Sequence, residues 1–118
     1  MLLDKSHIKR IITYVPTELS HSSYLITSIQ EFSKTNKIPL VYKSNSFSIK
    51  GRVEVSGYEL KETTHSYPKI VFVKLYFNDD SQKLLAFDFH DSNTFFSKEG
   101  LEKADFYFKR TFTRQEVN

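Results

Sequence analysis

Asp88, His90 and Asp91 are the residues whose types and spacing come closest to chemistry, standing together in Leu85-Ala-Phe-Asp-Phe-His-Asp-Ser92. The string ends an apolar, aromatic run of strand length. Side chains alternate along a strand, so Asp88 and His90 share one face while Phe87 and Phe89 take the other. A carboxylate near an imidazole can orient it and hold it charged, as general acid–base catalysis or anion binding requires. The same residues have a structural alternative: Asp91-Ser-Asn caps the next turn, Asp88 accepts backbone donors, and His90 sits at the rim.

A second group is Tyr107, Lys109, Arg110 and Arg114 around the last predicted strand. Alternation places Tyr107 with Lys109, opposite Phe108 and Arg110. Cationic groups beside an aromatic ring can hold a phosphate or a stacked base. An edge strand guarded against aggregation by its charges accounts for them equally well. Third comes Ser20-His-Ser-Ser23 at a predicted helix entrance. There Ser22 and Ser23 could receive an anion, with helix capping as the alternative role.

Other chemistries lose their supports. The chain has no cysteine, so thiolate metal sites, disulfides and cysteine nucleophiles are excluded. His7, His21, His65 and His90 are scattered singly through different elements, which argues against a His-rich metal site. Gly-x-Gly-x-x-Gly, a Gly-rich phosphate loop and Gly-x-Ser-x-Gly are all missing from the string. Neither a metal nor a cofactor is expected.

The elements that must position these groups are predicted from periodicity and punctuation. Ile8 to Val15 is a β-branched run ending at Pro16 and reads as the first strand. Tyr24 to Lys34 carries Leu25, Ile29 and Phe32 on one helical face, with Thr35-Asn36-Lys37 and Pro39 marking its end. Leu40 to Lys43 is a short strand, so the chain opens with a strand–helix–strand unit of the kind built on parallel strands. From Phe47 to Leu60 the pattern alternates, predicting a half-exposed strand that continues past a kink or bulge at Gly57. Glu62 to Pro68 reads as an exposed connection.

Ile70 to Phe77 and Leu84 to Phe89 face each other across Asn78-Asp-Asp-Ser-Gln and predict an antiparallel hairpin. Ser97 to Ala104 predicts a short capped helix weakened by Gly100, and Phe106 to Phe108 a closing strand. The expected class is therefore α/β with one mixed sheet: a Rossmann-like strand–helix–strand start, then an antiparallel β-hairpin, a short helix and a final strand.

The totals fit one domain over residues 1–118. The composition is 39% hydrophobic and 26% charged, and 11 Phe with 7 Tyr suit a strand-built core. A net charge of +3, with acidic residues interspersed, gives a weakly positive field and no sign of a dedicated nucleic-acid binder. No window approaches the about 20 apolar residues that cross a bilayer, and the N-terminus lacks a secretory core, so a cytosolic location is expected.

With these residues in view, the last third of the chain resembles the N-terminal region of bacterial two-domain glycosyltransferases that assemble surface polysaccharides. The resemblance is carried by Leu85-Ala-Phe-Asp-Phe-His-Asp-Ser92 and by Glu102-Lys-Ala-Asp-Phe-Tyr-Phe-Lys-Arg-Thr-Phe112. In that group an Asp-x-Tyr-Phe-Lys-Arg-Ser-Tyr segment follows a short helix. It implies the acceptor-side lobe of a longer enzyme with two Rossmann-like lobes, the nucleotide-sugar being held mainly by a second lobe beyond Asn118. The implied partners are a nucleotide-sugar and a glycan or lipid-linked acceptor, with peripheral contact at the inner face of the membrane and no nucleic acid. Asp88, His90 and Asp91 would then lie near the cleft, with Lys109 and Arg110 neutralising phosphate charge. The isolated chain would be inactive for want of a donor site. A stand-alone, non-catalytic α/β module binding an anionic ligand or a protein partner is the other reading of the same residues.

Overall fold

The computed structural model describes residues 7–16, 23–44, 50–67, 69–90 and 94–109. Its elements are β1 (Ile8–Val15), α1 (Ser23–Asn36), β2 (Leu40–Ser44), β3 (Lys50–Ser56), β4 (Glu59–Ser66), β5 (Ile70–Phe77), β6 (Gln82–Asp88), β7 (Phe95–Ser97), α2 (Lys98–Lys103) and β8 (Phe106–Lys109). The β-branched and aromatic runs build a five-stranded sheet in the order β2-β1-β5-β6-β8. β1 pairs β2 and β6 pairs β8 in parallel, while β5 runs antiparallel to both β1 and β6. Four strands therefore end along one edge of the sheet, where β5 begins.

Alternation divides this sheet into two apolar faces. Ile11, Val71, Val73, Leu75 and Leu85 point to one side, where Leu25, Ile29 and Phe32 of α1 cover them. Ile12, Tyr14, Ile70, Phe72, Leu84 and Ala86 point to the other. The predicted helical face is thus the face that docks. α1 stops in a Schellman arrangement: Ile38 N donates to Ser33 O at 2.9 Å and Lys37 N to Lys34 O at 3.3 Å, with Lys37 left-handed at φ 56°. Ser33 Oγ adds a 2.5 Å bond to Ile38 O, fixing the turn into β2.

Four expectations are corrected. The single mixed sheet is in fact two sheets, the second having the order β4-β3-β7. Gly57, at φ 62°, does not kink a continuing strand: it opens the two-residue turn Gly57-Tyr58, and Ser56 pairs with Glu59. The expected connection from Glu62 is the second half of β4, an outer strand so polar that only its pairing with β3 reveals it. A Rossmann-like start is not supported either. The β1-α1-β2 unit is parallel as expected, but β1 has antiparallel β5 as its other neighbour. A doubly wound sheet needs successive parallel crossovers with helices on both faces, and here β7 and α2 reach the second face.

α2 forms as the sequence predicts. Ser97 is its N-cap, with Oγ accepting from Gly100 N at 3.0 Å, and Glu99 lies in the first turn. Among the described residues no helix is long and apolar enough to cross a membrane.

Gly100 has a packing purpose that its helix-weakening character hides. A Cβ built there would lie 2.7 Å from Tyr107 Cε2, closer than such atoms approach, and 3.4 Å from Ile70 Cδ1. Alanine ordinarily gains about 1 kcal/mol over glycine inside a helix. At this position the overlap wins: we expect Gly100→Ala to destabilise by about 1–3 kcal/mol in urea unfolding. A stabilised variant would show that α2 is not held against β8 by this close approach.

Candidate functional site

Asp88 is the last residue of β6 and is 1% exposed, on the sheet face opposite α1. Its Oδ2 accepts from Tyr67 Oη at 2.6 Å, Tyr107 Oη at 2.5 Å and Lys109 Nζ at 3.1 Å. Oδ1 accepts from the backbone N of His90 at 2.9 Å. Four donors thus converge on one buried carboxylate. Parallel pairing produces the arrangement directly, because Asp88 is the register partner of Lys109 and Ala86 of Tyr107. Tyr67 arrives from the approach to β5, whose Ile70 pairs with Asp88.

The two phenols also tie in the second sheet. Tyr107 Oη accepts from Ser97 N at 2.8 Å, so it relays between β7 and Asp88. Tyr67 Oη lies 2.8 Å from Phe95 O and 3.1 Å from Lys109 Nζ. Its single proton serves Asp88 or Phe95 O, one at a time. Burial, reinforced by the neighbouring Asp88, pushes both phenols well above the usual tyrosine range, so both remain protonated donors. Lys109 is turned inward, its side chain 9% exposed and its ammonium 5.1 Å above the Phe96 ring. It does not guard the exposed edge of β8, because the ion pair beneath it draws it in.

His90 lies just beyond this knot and is half-buried. Its ring stacks on Tyr67 with centroids 3.7 Å apart and planes 28° from parallel. Nε2 accepts from Lys69 N at 3.2 Å, so the neutral ring carries its proton on Nδ1. Burial lowers its pKa below 6.5; the nearby Asp88 works against this, and Lys109, Lys69 and Arg52 reinforce it. The carboxylate thus does not raise the imidazole pKa above its ordinary value, because burial outweighs it. Asp88 touches His90 through the backbone amide, and its charge is taken up by Lys109 and the phenols.

The remaining candidates separate. Asp91, Arg110, Arg114 and Ser22 lie outside the described residues. Ser23 opens α1, is exposed, and belongs to the layer on the other side of the sheet from Asp88. Sequence reasoning did bring Asp88, His90, Tyr107 and Lys109 to one place, but it missed Tyr67, Lys69, Arg52 and Ser97. Tyr67 and Lys69 carry no motif beyond flanking a buried strand. Arg52 sits on β3, with its guanidinium 4.1 Å over the Phe95 ring and Nη2 2.5 Å from Glu54 Oε2.

Chemically, the knot is closed, and His90 at its margin is half-buried. Asp88 and Lys109 satisfy each other, and His90 takes part only through its backbone amide and its stack on Tyr67. Among the described residues no cluster of three or more His, Asp or Glu is placed to hold a metal ion. On the opposite face, a cleft of about 280 Å³ between α1 and the sheet is lined by Ile11, Ile29, Phe32, Val73 and Phe87 among others, with no titratable group.

Removing one partner from a buried ion pair leaves the other uncompensated, which costs about 3–5 kcal/mol. We expect Asp88→Ala to be destabilised by that amount, and Asp88→Leu combined with Lys109→Met to recover part of it. Equal losses in both would mean that the Asp88–Lys109 pairing is not the source. For His90, the unfolded chain takes up its proton near 6.5 and the folded chain only at lower pH. Between those values the unfolded state binds more protons, so stability falls as pH is lowered through the window just below 6.5. Melting curves across that window should show a shallower fall in His90→Gln, and an unchanged slope would assign the effect to other groups.

The chain was compared with protein-family models, curated proteins and solved structures, and none of them matches it.

Proposed function

We propose that this chain is the acceptor-side lobe of a sugar transferase of surface-polysaccharide assembly. A nucleotide-sugar is the donor, held by a second lobe, and a glycan or lipid-linked molecule is the acceptor, met at the inner face of the membrane. The observation that carries this reading is the meeting of two strings. The segment ending in Asp88-Phe-His90 and the segment Asp105-Phe-Tyr-Phe-Lys109, separate in sequence, join in one cluster at the edge where four parallel strands end. Strand ends of this kind are where open α/β sheets place ligands.

Within this proposal the roles differ from those a bare sequence suggests. Asp88, Lys109, Tyr67 and Tyr107 are positioning residues, since each is occupied by the others. His90 is the group that meets the acceptor. With Nε2 engaged by Lys69 N, it offers the Nδ1 proton as a hydrogen-bond donor, suited to orienting an acceptor oxygen or steadying its phosphate.

The test is transfer from a panel of nucleotide-sugars to glycan and lipid-linked acceptors, using the full-length protein as encoded. His90→Ala is expected to lower kcat by about 10²–10³, the usual loss when one electrostatic donor is removed, while its melting temperature at neutral pH stays close to that of the parent. Unchanged turnover would remove His90 from the site. Absence of transfer from every donor would overturn the enzyme reading in favour of a binding module.

A further inference from the structure

We infer that the sheet face opposite α1 carries, at the end away from Asp88, a site for a phosphoryl group, free or on a small ester, built on Arg10, Lys74, Tyr76 and Gln82. It shares no residue with the group around Asp88. Tyr76 lies about 20 Å along β5 from Ile70, the residue paired with Asp88. The site therefore stands whether or not the chain takes part in sugar transfer.

Strand register puts the four side chains together. Arg10 pairs with Tyr76 and Tyr76 with Gln82, so these three form one row across β1, β5 and β6. Lys74 is two residues back along β5 and shares the face of Tyr76. The row borders a recess of about 410 Å³ lined by Lys9, Arg10, Tyr76, Asp80 and Gln82. That volume is within the range of small-molecule pockets, about 300–1,000 Å³.

The two cations meet at one ring. Arg10 Cζ lies over Tyr76 at 4.3 Å from the ring centroid, and Lys74 Nζ is 6.0 Å from the same centroid. A guanidinium resting on an aromatic face is held in orientation, while its N–H donors, lying in its own plane, stay open to a ligand. Among the described residues no carboxylate pairs with either cation. The acid in the lining, Asp80, accepts from Lys9 Nζ at 2.8 Å, so those two charges offset each other. Arg10 and Lys74 then set the charge of the recess, and the Tyr76 hydroxyl and Gln82 amide add neutral donors beside them.

Charge selects the ligand. Two cations without an acidic partner call for a dianion, and a phosphate monoester carries about −1.5 to −2 at pH 7 on three acceptor oxygens. A carboxylate brings a single charge. The planar fork of Arg10 can meet two of the phosphoryl oxygens at once, and the ammonium of Lys74 acts as a point charge on the group.

Inorganic phosphate, glucose 6-phosphate and uridine monophosphate are titrated into the chain, with acetate for comparison. Calorimetry reports affinity, and the ¹⁵N shifts of the Arg10 guanidinium report the place. The expected result is salt-sensitive binding of phosphate that perturbs Arg10, weaker binding of acetate, and affinity lowered about tenfold or more by each of Arg10→Met and Lys74→Met. Asp80→Asn removes the acid from the recess and frees Lys9, so it should raise affinity, a gain that a misfolded chain cannot give. Lys61→Met, on β4 of the second sheet, is the control that leaves affinity unchanged. Tighter binding of either ester than of inorganic phosphate assigns the site to an ester, and equal binding assigns it to the free ion. No perturbation of Arg10 by any phosphate, acetate binding as tight as phosphate binding, or equal weakening by Lys61→Met would overturn the site.

Discussion

A carboxylate with almost no exposed surface sits between two sheets, and most of the second half of this fold is arranged to keep it there. Taking an ion out of water costs several kcal/mol, which only close, well-aligned donors offset. Asp88 receives four of them, from the approach to β5, from its own β6–loop junction, and twice from β8. Each donor dictates something larger. Lys109 and Tyr107 reach it because β8 lies parallel to β6 in one register, and that register is reinforced by Asp105, whose carboxylate accepts from Leu84 N at 2.8 Å while its own N donates to Leu84 O at 2.7 Å.

The tyrosines extend this constraint to the second sheet. A phenol has an apolar body that can be buried and a polar tip that must be paired. Tyr107 lays its ring against Gly100 of α2 and its tip against Asp88 and Ser97 N, so one side chain joins α2, β7 and β6. Tyr67 does the same for Phe95 O and supplies the surface on which His90 stacks. The chemistry left over at the rim follows from these demands. The carboxylate is spent internally, the ammonium with it, and the imidazole is stacked on Tyr67 with one nitrogen occupied.

The opposite face obeys a simpler rule. α1 covers β1 and β5, while the stacked rings of Phe87 and Phe108 lie further along β6 and β8, with Phe108 45% exposed. The cleft on that side is lined mainly by apolar side chains. The two faces thus divide the work, one packing and the other pairing.

By itself the sequence determined the local elements and their faces. β1, α1, β2, the β5–β6 hairpin, α2 and β8 follow from periods of 2 and 3.6, from Pro and Asn punctuation, and from a capping serine, all properties of neighbouring residues. Alternation likewise put Asp88 with His90 and Tyr107 with Lys109. Tertiary structure alone decided what those pairs would do. The polar strand β4 lacks an apolar period and exists through its pairing with β3, so the second sheet was illegible. Tyr67 lies 21 residues from Asp88 in sequence and 2.6 Å from it in space, a distance no local signal encodes. Whether an aspartate holds a histidine charged or leaves it neutral depends on which donors reach the carboxylate first, and that is settled by strands brought together from far along the chain.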